Sequence, residues 1–560
     1  MNLIIRAFFP SGTRWLTVGL LAVTVSCGNK TGNDVDAGPV ESVTVLPAQS
    51  TVTIGFTRTL SADVRDSAGV VIPDAEVMWS IDPSNVASVS DEGLVTGVAP
   101  GSATVTATVD GISGTATITV IVQQTAEGDT IALSIRRLSG SSGPVVVSNG
   151  IPLPMGHLRP DQMDNVSVVM GGQEQSIFVE PLVSRHEDGT VRSILVQFNA
   201  TVNAGSPVDG FLLVGTDVTR NAPDISKTSI TWDTPAAVAL PTSAAYLAST
   251  LIVGPSITAD ELPAGLFRTW QNDFEDVGED RWANDGLNEM SNHQYDRALV
   301  WYAGWVRTGD PKYWDRGTAT ANAVVALHQS AGYQYQPHFD DLQGSELHYL
   351  LVGAEQGRET IRGVAEFMDV ANYRAALDRD PFEDWMDSRI QSYVLMSSLF
   401  AARLDVGGRD WAAQARDDLD DIISTQSADG SMRWFSWDDG HSVFMASLLV
   451  HAMIRYYTWF EADPRIPSFV KGVLDFVHPD LWMGDSWQYV SNDPTPTVDL
   501  NQLNAIGYAW YGWLSGDATY TEVARTAFEF GADDAFLGFK QFNQNYRGAF
   551  QTAWYILNVP

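Results

Sequence analysis

With a single cysteine in 560 residues, Cys27, no intrachain disulfide can form, and stability has to come from buried apolar surface. Basic residues are scarce too: 33 Lys and Arg stand against 68 Asp and Glu, a formal charge of -35. No basic surface of the size nucleic acid requires can be built from that balance, and polyanions are disfavoured except where arginines gather in a cleft. The apolar run Trp15 to Val25 is short for a membrane-spanning helix. Apolar residues make up 44% and aromatics 10%, so the chain is not of a disordered type, and its length calls for two to four domains.

Arg6 and Arg14 precede the apolar run and Ser26-Cys27-Gly28 follows it, the layout of an export signal. The cysteine placed just after the run resembles the lipobox of bacterial lipoproteins, with Thr24 where Leu is commoner. That resemblance implies lipidation at Cys27 and an exported protein on the outer membrane or cell surface, plain secretion being the alternative. The expected layout is a signal over 1–27 and a polar tether over 28–40.

From 41 to 123 short alternating strands are punctuated by Gly, Pro, Asp and Ser, which predicts a β-sandwich. Trp79 and the run Gly93-Leu94-Val95-Thr96-Gly97 through Val105 resemble the bacterial immunoglobulin-like group 2 domain, which implies a spacer or adhesive module. A second β-rich unit is expected over 130–258, with Asp188-Gly189 as a hairpin signal. Its segments Gly150-Ile151-Pro152-Leu153-Pro154-Met155-Gly156 and Arg185 to Phe198 resemble the N-terminal β-barrel of exo-rhamnogalacturonan-lyase-like proteins. Thr190 and Ser193 stand where that pattern has Ser and Trp.

Over 259–560 the period becomes helical, with about eleven helices joined by short loops. Trp301 to Tyr313 and Tyr508 to Tyr520 share one habit: a helix ends at Gly and the next restarts behind Asp. Stacked helical hairpins bury their apolar faces, and closing the stack gives a ring. The habit resembles the (α/α)6 toroids of polysaccharide lyases and glycoside hydrolases. The expected fold class is therefore multidomain: an immunoglobulin-like β-sandwich, a β-barrel or sandwich and an all-α toroid.

In such a ring a cleft forms at one mouth from helix starts and loops. Four clusters qualify: Asn288, Asn292, His293, Tyr295 and Asp296; His338, Asp340, Asp341, Glu346 and His348; Trp434, Trp437, Asp438, Asp439 and His441; and Asn545, Tyr546 and Arg547. Each has a plainer reading. Asp296 and one of Asp340 or Asp341 suit helix caps, His348 suits the core, Trp434 and Trp437 suit packing, and Asn545 and Tyr546 suit a helix start.

A lyase acting on a uronic acid needs a base, an acid and a group to neutralise the carboxylate. His293 or His338, Tyr295 or Tyr546, and Asn292, Arg389 or Arg547 supply these. A glycoside hydrolase needs two carboxylates roughly 5 to 10 Å apart; Asp340 or Asp341 with Asp438 or Asp439 is the expected pair. The third reading is a glycan-binding surface lipoprotein without activity. Trp434, Trp437, Asp439, His441 and Asn545 are expected to contact substrate, and Glu346 and His348 to hold His338 and the aspartates toward the mouth. His338, Asp340, Glu346 and His348 match no standard metal spacing, so no cofactor is expected. The expected partner is a polysaccharide or oligosaccharide, acted on by a monomer.

Overall fold

The computed structural model describes residues 38–53, 57–72, 75–121, 129–229, 235–339, 341–377, 387–432 and 441–559. Cys27 and the expected signal lie outside these residues, as do Asp340, Trp434, Trp437, Asp438 and Asp439.

Alternation of apolar and Thr or Ser positions gives the first unit its strands β1 (Val40–Leu46), β2 (Gln49–Thr53), β3 (Thr57–Thr59), β4 (Ser61–Asp66), β5 (Met78–Asp82), β6 (Ala87–Val89), β7 (Leu94–Gly97), β8 (Gly101–Val109) and β9 (Ile112–Ile121). They form sheets β2-β9-β8-β5 and β3-β7-β6 and the pair β1-β4, around a core that includes Val45, Val64, Val105 and Ile118. Gly93 has φ +79°, and a Cβ there would lie 2.7 Å from the Leu60 carbonyl and 2.9 Å from the Trp79 ring. Only glycine lets that turn close over the tryptophan.

The second unit has β10 (Asp129–Arg137), β11 (Gly143–Pro152), β12 (Val166–Met170), β13 (Gln173–Glu174), β14 (Ile177–Pro181), β15 (Ser193–Val202), β16 (Val208–Val214) and β17 (Ala237–Pro241). They make one sheet in the order β13-β12-β16-β10-β17-β11-β15-β14. Its two edge strands are neighbours in sequence, so the sheet curls into a half-barrel around Ile135, Val147, Phe198 and Leu212. Thr190 Oγ1 accepts a hydrogen bond from the Gly156 N–H (3.0 Å) and so ties together the segments at 150–156 and 185–198. Ser193, where the pattern has Trp, donates to the Leu350 carbonyl of the helical unit (2.6 Å), and a Cβ on Gly150 would lie 2.0 Å from that same oxygen. Small residues at both positions let a helix dock directly on the sheet.

The helices are α1 (Ala244–Ser249), α2 (Leu266–Asn284), α3 (Arg297–Thr308), α4 (Pro311–Ser330), α5 (Gln343–Val352), α6 (Glu355–Val370), α7 (Ser388–Arg403), α8 (Trp411–Ser424), α9 (Val443–Trp459), α10 (Arg465–Leu481), α11 (Asn501–Ser515), α12 (Ala518–Asp534), α13 (Lys540–Tyr546) and α14 (Ala549–Leu557). The eleven expected helices are all present. Helical periodicity in the sequence does not mark α1, α2 or α13. In α2 the buried Phe267, Trp270, Phe274 and Gly278 keep helical spacing, but five Asp and Glu among its 19 residues dilute the stripe.

Helices α3, α5, α7, α9, α11 and α14 are buried along most of their length and form the inner ring. Their partners α4, α6, α8, α10 and α12 are amphipathic and lie outside, joined to them by short links that force antiparallel hairpins. Gly309 and Gly516 end α3 and α11 at φ +71° and +72°, and Asp310 and Asp517 cap the helices that follow. Contacts of α12 with α2 and of α13 with α3 close the ring.

The two β units cover the C-terminal ends of the inner helices. Besides Ser193 on Leu350, the Tyr349 hydroxyl accepts from the Val183 N–H (3.0 Å) and the Leu514 carbonyl accepts from the Ala48 N–H (3.1 Å). The N-terminal ends of the inner helices form the opposite mouth.

Candidate active site

Asp296 is the point from which two inner helices start. Its Oδ1 accepts from the Leu299 N–H (3.1 Å), capping α3, and its Oδ2 accepts from the Gly344 N–H (2.9 Å) in the first turn of α5. A Cβ on Gly344 would lie 2.4 Å from Oδ1, so the shared cap requires glycine there. Burial, and then the negative charge of Asp341, push the Asp296 carboxyl up to about 7. The cap reading of Asp296 thus holds, and the same residue carries a perturbed proton.

Asp341 pairs with Arg547 from the start of α14, Oδ1 to Nη2 at 2.9 Å, both side chains nearly wholly buried. Beneath the mouth, Asp341 Oδ2 and Arg547 Nε and Nη1 have no hydrogen-bond partner among the described residues. Arg455 of α9 is also buried with Nε and Nη2 unbonded; burial and repulsion by Arg547 lower it to about 9 against the pull of Asp341, Asp296 and Glu346. Tyr393 of α7 completes this layer, its phenol raised by burial and by Asp341. Sequence reasoning missed Arg455 and Tyr393 because both sit inside apolar helices. The available signal was that Arg455 is the sole Asp, Glu, Lys or Arg of α9.

Above this layer stand Tyr295, His338 and Arg389. Tyr295 has φ 62° and Asp296 φ 55°, two successive left-handed residues that turn the chain into α3. The half-buried Tyr295 packs on Phe444, Met445, Leu448, Leu500 and Leu503, with the Arg547 guanidinium 5.9 Å from its ring centroid. Burial raises its phenol to about 12, and Arg389 and then Arg547 pull the other way. His338, in the single turn Pro337–Phe339, is lowered to about 4 by burial first, then by Arg389 and Lys540. Arg389 opens α7, holds Asp387 at 3.2 Å and stays partly exposed. The Arg389 charge therefore acts on both a phenol raised by burial and an imidazole lowered by burial.

Other expected site residues are committed elsewhere. The Tyr546 hydroxyl donates to the Trp270 carbonyl of α2 (2.9 Å) and its ring stacks on Trp270, so it faces the outer layer and not the mouth. Asn545 donates to the carbonyls of Asp499 (3.2 Å) and Gln541 (2.9 Å), tying α13 to the approach to α11. Asn292 donates to the Gly286 carbonyl (3.1 Å). His293 is buried, lowered to about 4, with Nε2 3.0 Å from the Leu287 carbonyl. His441 lies half-buried beside the start of α9; its backbone N–H donates to Ser491 Oγ (2.8 Å) and its ring meets Phe476 edge-on.

The expectation for Glu346 and His348 needs correction. Glu346 is fully buried and binds Arg192 of the curled sheet (3.1 Å) and Arg403 of α7 (2.9 Å), away from His338. His348 lies in the core with Nδ1 3.4 Å from the Tyr302 hydroxyl. Among the described residues no group of three His, Cys, Asp or Glu is placed to hold a metal ion, and no helix is long and apolar enough to cross a membrane.

Comparison with known proteins adds two findings. Residues 39–120 match the family model of the bacterial Ig-like domain (group 2). The chain is also similar to an unsaturated glucuronyl hydrolase specific for heparin, at 11% identity over 52% of this chain and 95% of that one, TM-score 0.38. It is similar to a polysaccharide lyase at 12% identity over 52% of this chain and 97% of that one, TM-score 0.37. A possible member of the GH105 family from Salmonella enterica is similar at 12% identity over 54% and 95%, TM-score 0.34. At such scores the chemistry has to be read from the mouth's own residues.

Proposed function

We propose that this protein is a carbohydrate-active enzyme, a polysaccharide lyase that cleaves a uronic-acid-containing glycan by β-elimination at the open mouth of the helical ring. The observation that carries the reading is that Tyr295, His338 and the partly exposed Arg389 come together at the helix starts of the ring, with Arg389 acting on both of the others. Arg389 binds the substrate carboxylate and stabilises the charge that develops when the C5 proton leaves. Neutral His338 takes that proton. The electron pair forms the C4–C5 double bond, the bond from C4 to the glycosidic oxygen breaks, and the Tyr295 hydroxyl gives that oxygen its proton. The Asp341–Arg547 pair, with Asp296, fixes the helix starts that carry these groups.

A second reading rests on a specific observation. Asp296, raised to about 7 beside Asp341, is the acid-and-carboxylate pairing of a glycoside hydrolase. Against it, both oxygens of Asp296 accept backbone N–H groups and Asp341 is held by Arg547. Incubation with uronic acid glycans, read by both ultraviolet absorbance and reducing ends, separates the two. Elimination raises both signals, whereas glycosidic hydrolysis of a saturated glycan raises reducing ends alone. Export and anchoring through Cys27 belong to the same proposal, since a polymer of this kind is met outside the cell; mass spectrometry of the mature N-terminus tests it.

A further inference from the structure

A cavity of about 510 Å³ lies on the face away from the mouth, where all three units meet. Arg58 comes from the first β unit, Arg185 and Glu187 from the curled sheet, and Arg403, Tyr457 and Trp459 from α7 and α9. The size falls in the roughly 300–1,000 Å³ range of small-ligand sites. Its charge runs against that of the chain: three arginines line it and one carboxylate, in a protein of net charge -35.

Two of the arginines are already satisfied. Arg403 binds Glu346 and the Trp459 carbonyl, its guanidinium 5.1 Å from the Trp459 ring centroid. Arg58 binds Glu187 at 3.0 Å across the junction. Arg185 differs. Its Nη1 donates to the carbonyls of Leu182 (2.6 Å) and Ser184 (2.7 Å), which fixes the guanidinium, yet no carboxylate among the described residues pairs with it. It is half-buried, and burial disfavours its charge. A positioned, partly desolvated arginine beside aromatic walls is a receptor for a carboxylate on a sugar ring.

We propose that this junction is a second saccharide site, distinct from the mouth, in which Arg185 binds the carboxylate of an acidic oligosaccharide and Trp459 and Tyr457 line the sugar-binding wall. The site would hold an acidic chain on the far face of the ring and lock the first β unit against the other two. The choice of ligand class rests on the proposed function; the cavity and its unpaired arginine do not.

The test is calorimetric titration of the full chain with trigalacturonate, with a heparosan tetrasaccharide and with neutral maltotriose, in an Arg389→Ala background that disables the mouth. Binding of at least one acidic probe is expected, weakened about tenfold or more by Arg185→Ala and less by Arg185→Lys, with no binding of maltotriose. Unchanged thermal unfolding of Arg185→Lys guards against a folding defect. Equal binding by the Arg185→Ala variant, equal binding of maltotriose, or no binding of either acidic probe overturns the proposal. Arg185→Ala alone should leave turnover of a short substrate at the mouth unchanged. Arg185-dependent binding without any elimination activity would refute the lyase reading and keep this site; elimination without such binding would do the reverse.

Discussion

At the residue scale the account stands on which groups hold protons. A Tyr295→Phe variant removes the proposed acid without disturbing the apolar contacts of the ring, and elimination should fall by roughly 10²- to 10⁴-fold with unfolding unchanged. Since His338 is lowered to about 4 and Tyr295 raised to about 12, the proposed pair stays in its working state across neutral pH. The pH profile of kcat/KM should be flat there and fall only below about 4, where His338 takes up a proton; an inflection near the ordinary histidine value would contradict the assignment. Asp296 titrates in the other sense. Its carboxyl is raised from 3.8 to about 7 on folding, so between those values the folded state holds a proton that the unfolded chain has released. Its contribution to stability is complete below about pH 4 and is lost as pH rises through about 7. Denaturant midpoints of the wild type should decline over that window more than those of Asp296→Asn.

At the element scale the inner helices depend on a few caps and one buried ion pair. Removing Asp341 as Asp341→Ala leaves Arg547 charged and buried, and a loss of about 3–5 kcal/mol is expected by equilibrium unfolding. Gly309 and Gly516 share a left-handed φ, but a Cβ on Gly309 would lie 2.9 Å from the Thr242 carbonyl, whereas nothing lies within 4 Å at Gly516. Alanine should therefore cost about 1–2 kcal/mol at Gly516 and more at Gly309. These elements are the part of the fold that the sequence makes legible, because a Gly stop followed by an Asp start is a local signal. Tyr546 was not legible. One position before Arg547 on the same short segment, it turns to α2 while Arg547 turns to Asp341, a difference set by packing that spacing alone does not encode. Arg455 and Tyr393 escaped for a related reason: only ring closure brings these residues of α9 and α7 to the Asp341–Arg547 layer.

At the scale of the whole molecule, the β units close one end of the helical ring and leave the proposed chemistry to the other. Glu346, expected to serve the mouth, serves this closure instead by bridging Arg192 of the curled sheet and Arg403 of α7. The small residues Ser193 and Gly150 at the sheet surface, read from the sequence only as a departure and as part of a motif segment, are what allow α5 to seat there.

The central claim, elimination at the mouth through Arg389, His338 and Tyr295, is tested most directly by one assay: time courses of ultraviolet absorbance and reducing ends on a panel of uronic acid glycans, for the wild type and Arg389→Ala. The account predicts that both signals rise in step with the wild type and that Arg389→Ala loses them together. Reducing ends released without absorbance, or absorbance undiminished in Arg389→Ala, would contradict it.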